Sequence, residues 1–162
     1  MQWFTPTKEV KLCGHATIAS LHFLFEKQII SNNKKVTFET LSGIINCSIE
    51  NGNYLMQIPN PQLKEFSGCK EEILNALGID RVDVSDLPFI MLDNGYLFIA
   101  INSLIALWKI KPDFKMLNEL SETKKEFFDI AVFTNETVEK DSSVHLRFFA
   151  PFHGINEDPV TG

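Results

Sequence analysis

At 162 residues the chain has room for one ordinary domain or two small lobes. Apolar residues make up 44% and charged residues 22%, the balance of a soluble globular protein. A formal net charge of -6 argues against nucleic acid and does not favour an anionic membrane, since both ask for a basic face.

Fourteen phenylalanines against two tyrosines indicate a core built largely on Phe. No apolar run approaches the length of a membrane span, and no signal-peptide pattern opens the chain. Cys13, Cys47 and Cys69 are an odd count without CxxC spacing, which fits free thiols in a reducing cytoplasm. The four histidines (His15, His22, His145, His153) form no HExxH-like ligand pattern, so no metal is expected.

In chain order, Trp3-Phe4-Thr5-Pro6 reads as a strand end stopped by proline, and Glu9–Leu12 as a short extended piece. From Gly14 to Gln28 apolar residues (Ala16, Ile18, Ala19, Leu21, Phe23, Leu24, Phe25) cover much of the helical circumference, which predicts a central helix buried on most sides. Residues 36–58 read as a β-meander, with turns at Ser42-Gly43 and Asn51-Gly52. Pro59-Asn60-Pro61 then breaks the sheet, giving two lobes, 1–61 and 62–162.

The second lobe alternates. Lys70–Leu77 reads as a helix closed by Gly78, and Phe89–Leu92 and Tyr96–Ile101 flank the turn Asp93-Asn94-Gly95. Leu104–Lys109 and Asp113–Leu120 look helical, and Phe127–Phe133 and Val144–Ala150 look extended. After Pro151 the chain reads as loop.

Two short motifs carry potential chemistry. Leu12-Cys13-Gly14-His15-Ala16-Thr17 sits where the central helix starts. Unpaired N–H groups and the positive dipole end suit a carboxylate there. Gly14 would let it approach the backbone, and His15 could hydrogen-bond to it or carry a proton. Cys13 stands at the same positive end, a setting in which thiols react more readily. The second motif, Gly154-Ile155-Asn156-Glu157-Asp158-Pro159-Val160-Thr161-Gly162, sets two carboxylates in a loop bounded by glycines. Pro159 fixes the direction of Asp158. Each motif by itself is better explained without a ligand, the first by packing and capping, the second as a solvated acidic loop.

Together they resemble the phenazine-biosynthesis-protein-F-like family of isomerases. That family carries stretches similar to Trp3–Thr17, to Arg147-Phe148-Phe149-Ala150-Pro151 and to Gly154–Gly162, in this order and approximate spacing. Met56-Gln57-Ile58-Pro59 and Ile110-Lys111-Pro112-Asp113 also look like family features. The resemblance implies an α+β, diaminopimelate epimerase-like fold: two lobes, each a mainly antiparallel sheet wrapped around a central helix. It implies proton transfer on a small-molecule carboxylate without metal or organic cofactor, the namesake isomerising a dihydro-hydroxyanthranilate. Carried over, it makes His15 and Asp158 the catalytic residues. Cys13, Gly14, Ala16, Thr161 and Gly162 become substrate-binding.

The resemblance also implies a catalytic glutamate in a segment ahead of the Trp-Phe-Thr-Pro stretch and a serine directly after the Thr-Gly pair, so the chain is expected to be incomplete at both ends. A homodimer is allowed. Two other functions compete: a non-catalytic small-carboxylate-binding or scaffold protein of the same fold, and a thiol-based racemase or epimerase using Cys13.

Overall fold

The computed structural model describes every residue except Pro59 and Gly162. Pro59, one of the prolines expected at the lobe break, and Gly162, an expected substrate-binding residue, therefore lie outside the described residues. The chain divides into two compact units, Met1–Asn60 with Val160–Gly162 and Pro61–Pro159. Each is taken by itself.

The first unit opens with a two-stranded antiparallel ribbon, β1 (Trp3–Phe4) and β2 (Glu9–Val10). Helix α1 (Gly14–Glu26) follows, then the antiparallel meander β3 (Lys35–Thr40), β4 (Gly43–Glu50) and β5 (Asn53–Met56). The hairpin between β4 and β5 turns at Asn51 and Gly52, with φ of 53° and 81°, a left-handed pair that these two residues adopt at little steric cost. On β4 the period-2 alternation buries Ile45, Cys47 and Ile49, which pack with Leu21 of α1 and Trp3 of β1.

Helix α1 departs from expectation. It packs on the meander, yet only Thr17 and Leu21 are buried, while His15, Ala19, His22, Phe23 and Glu26 are exposed. Phe23 is 56% exposed. Within this chain the meander covers one face of the helix, and the apolar residues spread around the rest of its circumference find no second layer in this unit.

The second unit is a six-stranded sheet, β11-β10-β9-β8-β7-β6. Its strands are β6 (Leu63–Glu65), β7 (Ile90–Leu92), β8 (Tyr96–Ala100), β9 (Asp129–Thr134), β10 (His145–Ala150) and β11 (Ile155–Asp158). All neighbours are antiparallel except β8 and β9, which run parallel. Such a pair cannot be closed by a hairpin, and the crossover supplies helices α3 (Leu104–Lys109) and α4 (Phe114–Lys124). Ser103 and Asp113 cap them, each side chain accepting an amide hydrogen bond, from Ala106 and Met116. Helix α2 (Lys70–Leu77) ends at Gly78 in the left-handed conformation, as read from the sequence.

The helices share one core with one side of the sheet. Ile73 and Leu77 of α2, Leu107 of α3 and Leu117 of α4 pack with Leu97, Ile99, Ile130, Val132 and Phe149. The alternate residues Ala131, Phe148 and Ala150 build a smaller cluster with Tyr96, Phe98 and Leu146 on the other face. Gly95, at φ +90°, also makes room for a ring: a Cβ there would stand 2.3 Å from Phe128 Cδ2. Two strands were not foreseen. The expected loop after Pro151 contains β11, and β6 precedes α2.

The burial difference along α1 sets a measurable contrast. Leu21→Ala is expected to destabilise the first unit by about 2–5 kcal/mol through lost burial and a cavity. Phe23→Ala, at an exposed site, is expected to stay within about 0.5 kcal/mol of wild type. Urea unfolding followed by Trp3 fluorescence in a Trp108→Phe background checks both.

Candidate functional site

The first constellation stands at the start of α1. Cys13 is the N-cap, with extended backbone (φ -142°, ψ 103°) and no side-chain capping bond. The first intrahelical bond runs from the Thr17 amide to the Cys13 carbonyl at 3.1 Å. The amides of Gly14, His15 and Ala16 precede it, the orphan donors of a helix start. The buried Thr17 hydroxyl also donates to the Cys13 carbonyl, at 2.7 Å, and fixes the turn from inside. His15 is exposed, and its Nε2 lies 3.4 Å from Cys13 Sγ.

Gly14 is informative because nothing local demands it. Its φ is not positive, and a Cβ would meet only Met56 Cε, at 3.5 Å, an ordinary contact. Packing would tolerate alanine, which is also the better helix former. Close approach of a ligand to the backbone is the property that only glycine supplies at this position.

The second constellation lies on β10, β11 and the turn between them. A single turn of 3-10 helix, Pro151–His153, leads through Gly154 into β11. His153 Nδ1 donates to the carboxylate of Asp129, which is only 2% exposed, at 2.9 Å. Phe152 stacks on Phe128 with ring centres 4.7 Å apart. Strand β11 pairs Asp158 with Phe148 and Glu157 with Phe149, and a bulge follows between Phe149 and Ala150. Arg147 donates through Nε and Nη2 to the two carboxylate oxygens of Glu157, at 2.7 and 2.8 Å. Its Nη1 donates to the carbonyls of Leu107 and Ile110 at the end of α3, at 3.1 and 2.9 Å.

Among the described residues, no three or more His, Cys, Asp or Glu side chains come together as metal ligands. Neither of two hollows on the first unit includes Cys13 or His15. One is lined by Phe25, Glu26, Gln28, Ile30, Ser31 and Asn32, the other by residues of the meander such as Lys35 and Gln57.

The family model described as phenazine biosynthesis-like protein matches residues 1–162. The chain belongs to the phenazine biosynthesis-like family. It is 37% identical over 171 residues to "Uncharacterized isomerase YfhB" of Bacillus subtilis, covering 100% of this chain and 58% of that protein. To the human phenazine biosynthesis-like domain-containing protein it is 32% identical over 172 residues, covering 100% and 57%. Among solved structures, a Bacillus anthracis phenazine biosynthesis protein of the PhzF family superposes with a TM-score of 0.83 at 29% identity, covering 99% of this chain and 56% of that one. An Enterococcus faecalis PhzF-family protein gives 0.69 at 26%, with 99% and 56% covered. The fold is α+β and diaminopimelate epimerase-like, as these relatives share. The chain spans about 57% of the length of the curated relatives it matches.

The family's two motifs fall in different units. Cys13, Gly14, His15 and Ala16 cluster in the first, and Thr161 is grouped with it. Asp158 ends β11 of the second unit. Three roles escaped the sequence reading: the Thr17 hydroxyl bond to the Cys13 carbonyl, the Arg147 clamp, and Glu157 as its partner. Arg147 and Glu157 lie in the quoted family stretches, but their pairing depends on strand register and carries no local signal.

The three cysteines are in different settings. Burial pushes the Cys47 thiol above its ordinary range. Burial raises the Cys69 thiol as well, and the nearby Glu126 carboxylate adds to it. A raised value leaves less thiolate at neutral pH. Cys13 is half-buried and touches an imidazole. Iodoacetamide near neutral pH is therefore expected to label Cys13 about tenfold or more ahead of Cys47 and Cys69, with the latter two catching up as pH rises. Peptide mass spectrometry over a time course reads this, and first labelling at Cys47 would contradict it.

Proposed function

We propose that the protein is a cofactor-independent isomerase that moves a proton on a small carboxylate substrate. The substrate carboxylate docks on the amides of Gly14, His15 and Ala16, and His15 holds it and relays a proton. Asp158 is the partner acid or base. Family membership over residues 1–162 supports the reaction class, since relatives carry the word isomerase in their names. The observation that carries the docking site is the partly exposed start of α1, where amides without a side-chain cap, an exposed imidazole and an otherwise unnecessary glycine coincide. The reading assigns the principal base to a glutamate outside residues 1–162, so a polypeptide of residues 1–162 alone is expected to bind carboxylate but to turn it over about 10²–10⁴-fold below a family enzyme that carries that base. The cysteines, free among the described residues, suit a reducing compartment, and the cytoplasm is the proposed location.

The decisive test uses Gly14→Ala. Its stability is expected to match or exceed wild type by up to about 1 kcal/mol, because alanine favours the helix. Its binding of an anthranilate-type carboxylate, followed by amide chemical shifts of residues 14–16, is expected to weaken about tenfold or more, because a methyl group blocks the approach. Equal binding by wild type and Gly14→Ala would remove the docking site. His15→Asn and Asp158→Asn are expected to slow solvent-deuterium incorporation into the bound carboxylate by a further ~10²-fold or more. Binding with no deuterium incorporation by a polypeptide that also carries the upstream glutamate would favour the non-catalytic alternative. Loss of incorporation in Cys13→Ser would favour the thiol mechanism.

A further inference from the structure

We infer that Arg147 is a positioning residue: by clamping Glu157 it sets the register of β11 and so decides which face of the sheet Asp158 occupies. The inference rests on the reading of Asp158 as a site residue and adds to it the device that orients it.

The argument starts from what β11 lacks. It is a four-residue strand, Ile-Asn-Glu-Asp, at the edge of the sheet among the described residues, with β10 as its ladder neighbour. Register in a strand is ordinarily set by an apolar face, and a slip of one residue turns every side chain over. A single isoleucine beside a bulge specifies register weakly. The charged pair supplies the missing specification. Arg147 lies on the Phe149 face of β10, toward α3, and its guanidinium sits 5.0 Å from the Phe149 ring centre. Two of its N–H groups grip both oxygens of Glu157 while a third nitrogen is tied to the carbonyls of Leu107 and Ile110. The planar fork is thus anchored at the helix end and presents one fixed bidentate seat to the strand.

Only Glu157 fits that seat. Its partner across the ladder is Phe149, so it shares the helix-side face. Asp158 pairs with Phe148, and alternation carries it to the opposite face, that of Tyr96, Phe98 and Leu146. A one-residue slip that offered Asp158 to Arg147 would move the next position onto Pro159. A half-buried ion pair of this kind is best attested as a selector of register rather than as a source of stability.

The test separates the two roles. Arg147→Met with Glu157→Leu replaces the pair by apolar groups of similar size; because the Leu107 and Ile110 carbonyls lose a donor, the melting temperature is expected to fall modestly with the unit still folded. In the same protein the β11 amides that bond to β10 are expected to exchange about tenfold or more faster, with those of β8 and β9 unchanged. The NOE contacts between Phe148 and Asp158 are expected to weaken or be replaced by those of a shifted register. Glu157→Gln, which keeps shape and one acceptor, is expected to give an intermediate result. Wild-type register and exchange in the double variant would overturn the inference. So would accelerated exchange spread evenly over the unit, which would mark a structural role alone. None of these readouts needs substrate. Failure of the isomerase reading shows separately, as unchanged deuterium incorporation in Asp158→Asn.

Discussion

The parallel pairing of β8 and β9 is the constraint on which the second unit depends. Register runs from Tyr96 opposite Asp129 to Ala100 opposite Phe133, with all the intervening chain carried over one face. That detour is costly in chain entropy and must be repaid by burial. Leu107 and Leu117, on the two crossover helices, are each 1% exposed or less, and both pack on the sheet beneath. The crossover also brings the end of α3 over β10, where its last carbonyls meet Arg147. A topological requirement of the sheet thus supplies the anchor from which the edge strand is held.

The first unit works differently. Its meander is regular and its hairpin well specified, but it shields α1 along one line of residues centred on Thr17 and Leu21. The same helix keeps its first turn open. Thr17 secures the Cys13 carbonyl from the buried side, so the orphan amides stay ordered without a side-chain cap covering them. Ser, Asp or Asn at position 13 would satisfy one of those amides itself. Cysteine caps poorly, which leaves the donors to other acceptors. The fold of this unit and its proposed chemistry therefore pull on the same residues in opposite directions.

What the sequence disclosed follows from the range of the interactions involved. Local signals read correctly: Asn51-Gly52 and Asp93-Asn94-Gly95 are turns, Gly78 ends α2, and Asp113 begins α4. The motif around His15 was legible as a helix start because capping is local. The burial of α1 was not, because periodicity reports how much apolar surface a helix offers and is silent on what this chain has available to cover it. Strands β6 and β11 were missed for a related reason. Leu63-Lys64-Glu65 is exposed throughout and Ile155–Asp158 is mostly polar, so neither carries the alternation of a half-buried strand. Both exist because a neighbour offers a ladder. Asp129 with His153 and Arg147 with Glu157 are invisible because tertiary structure creates each pair across a gap in sequence, the first through the turn after β10 and the second through strand register.

The adjacent carboxylates of β11 show how that register can divide labour. In a loop, Glu157 and Asp158 would repel each other and share one environment. In a strand, period-2 alternation separates them to opposite faces. One is then neutralised by a bidentate guanidinium fixed to a helix end, and the other is carried away from that cation to a face of aromatic side chains. Exchanging the two residue types would undo this. Aspartate at position 157 is one methylene short of the fork, and glutamate at 158 would add a freely rotating bond to a group whose direction proline at 159 helps to set. On the proposed reading, the order Glu-Asp-Pro suits an edge strand that holds one acid still and aims the other.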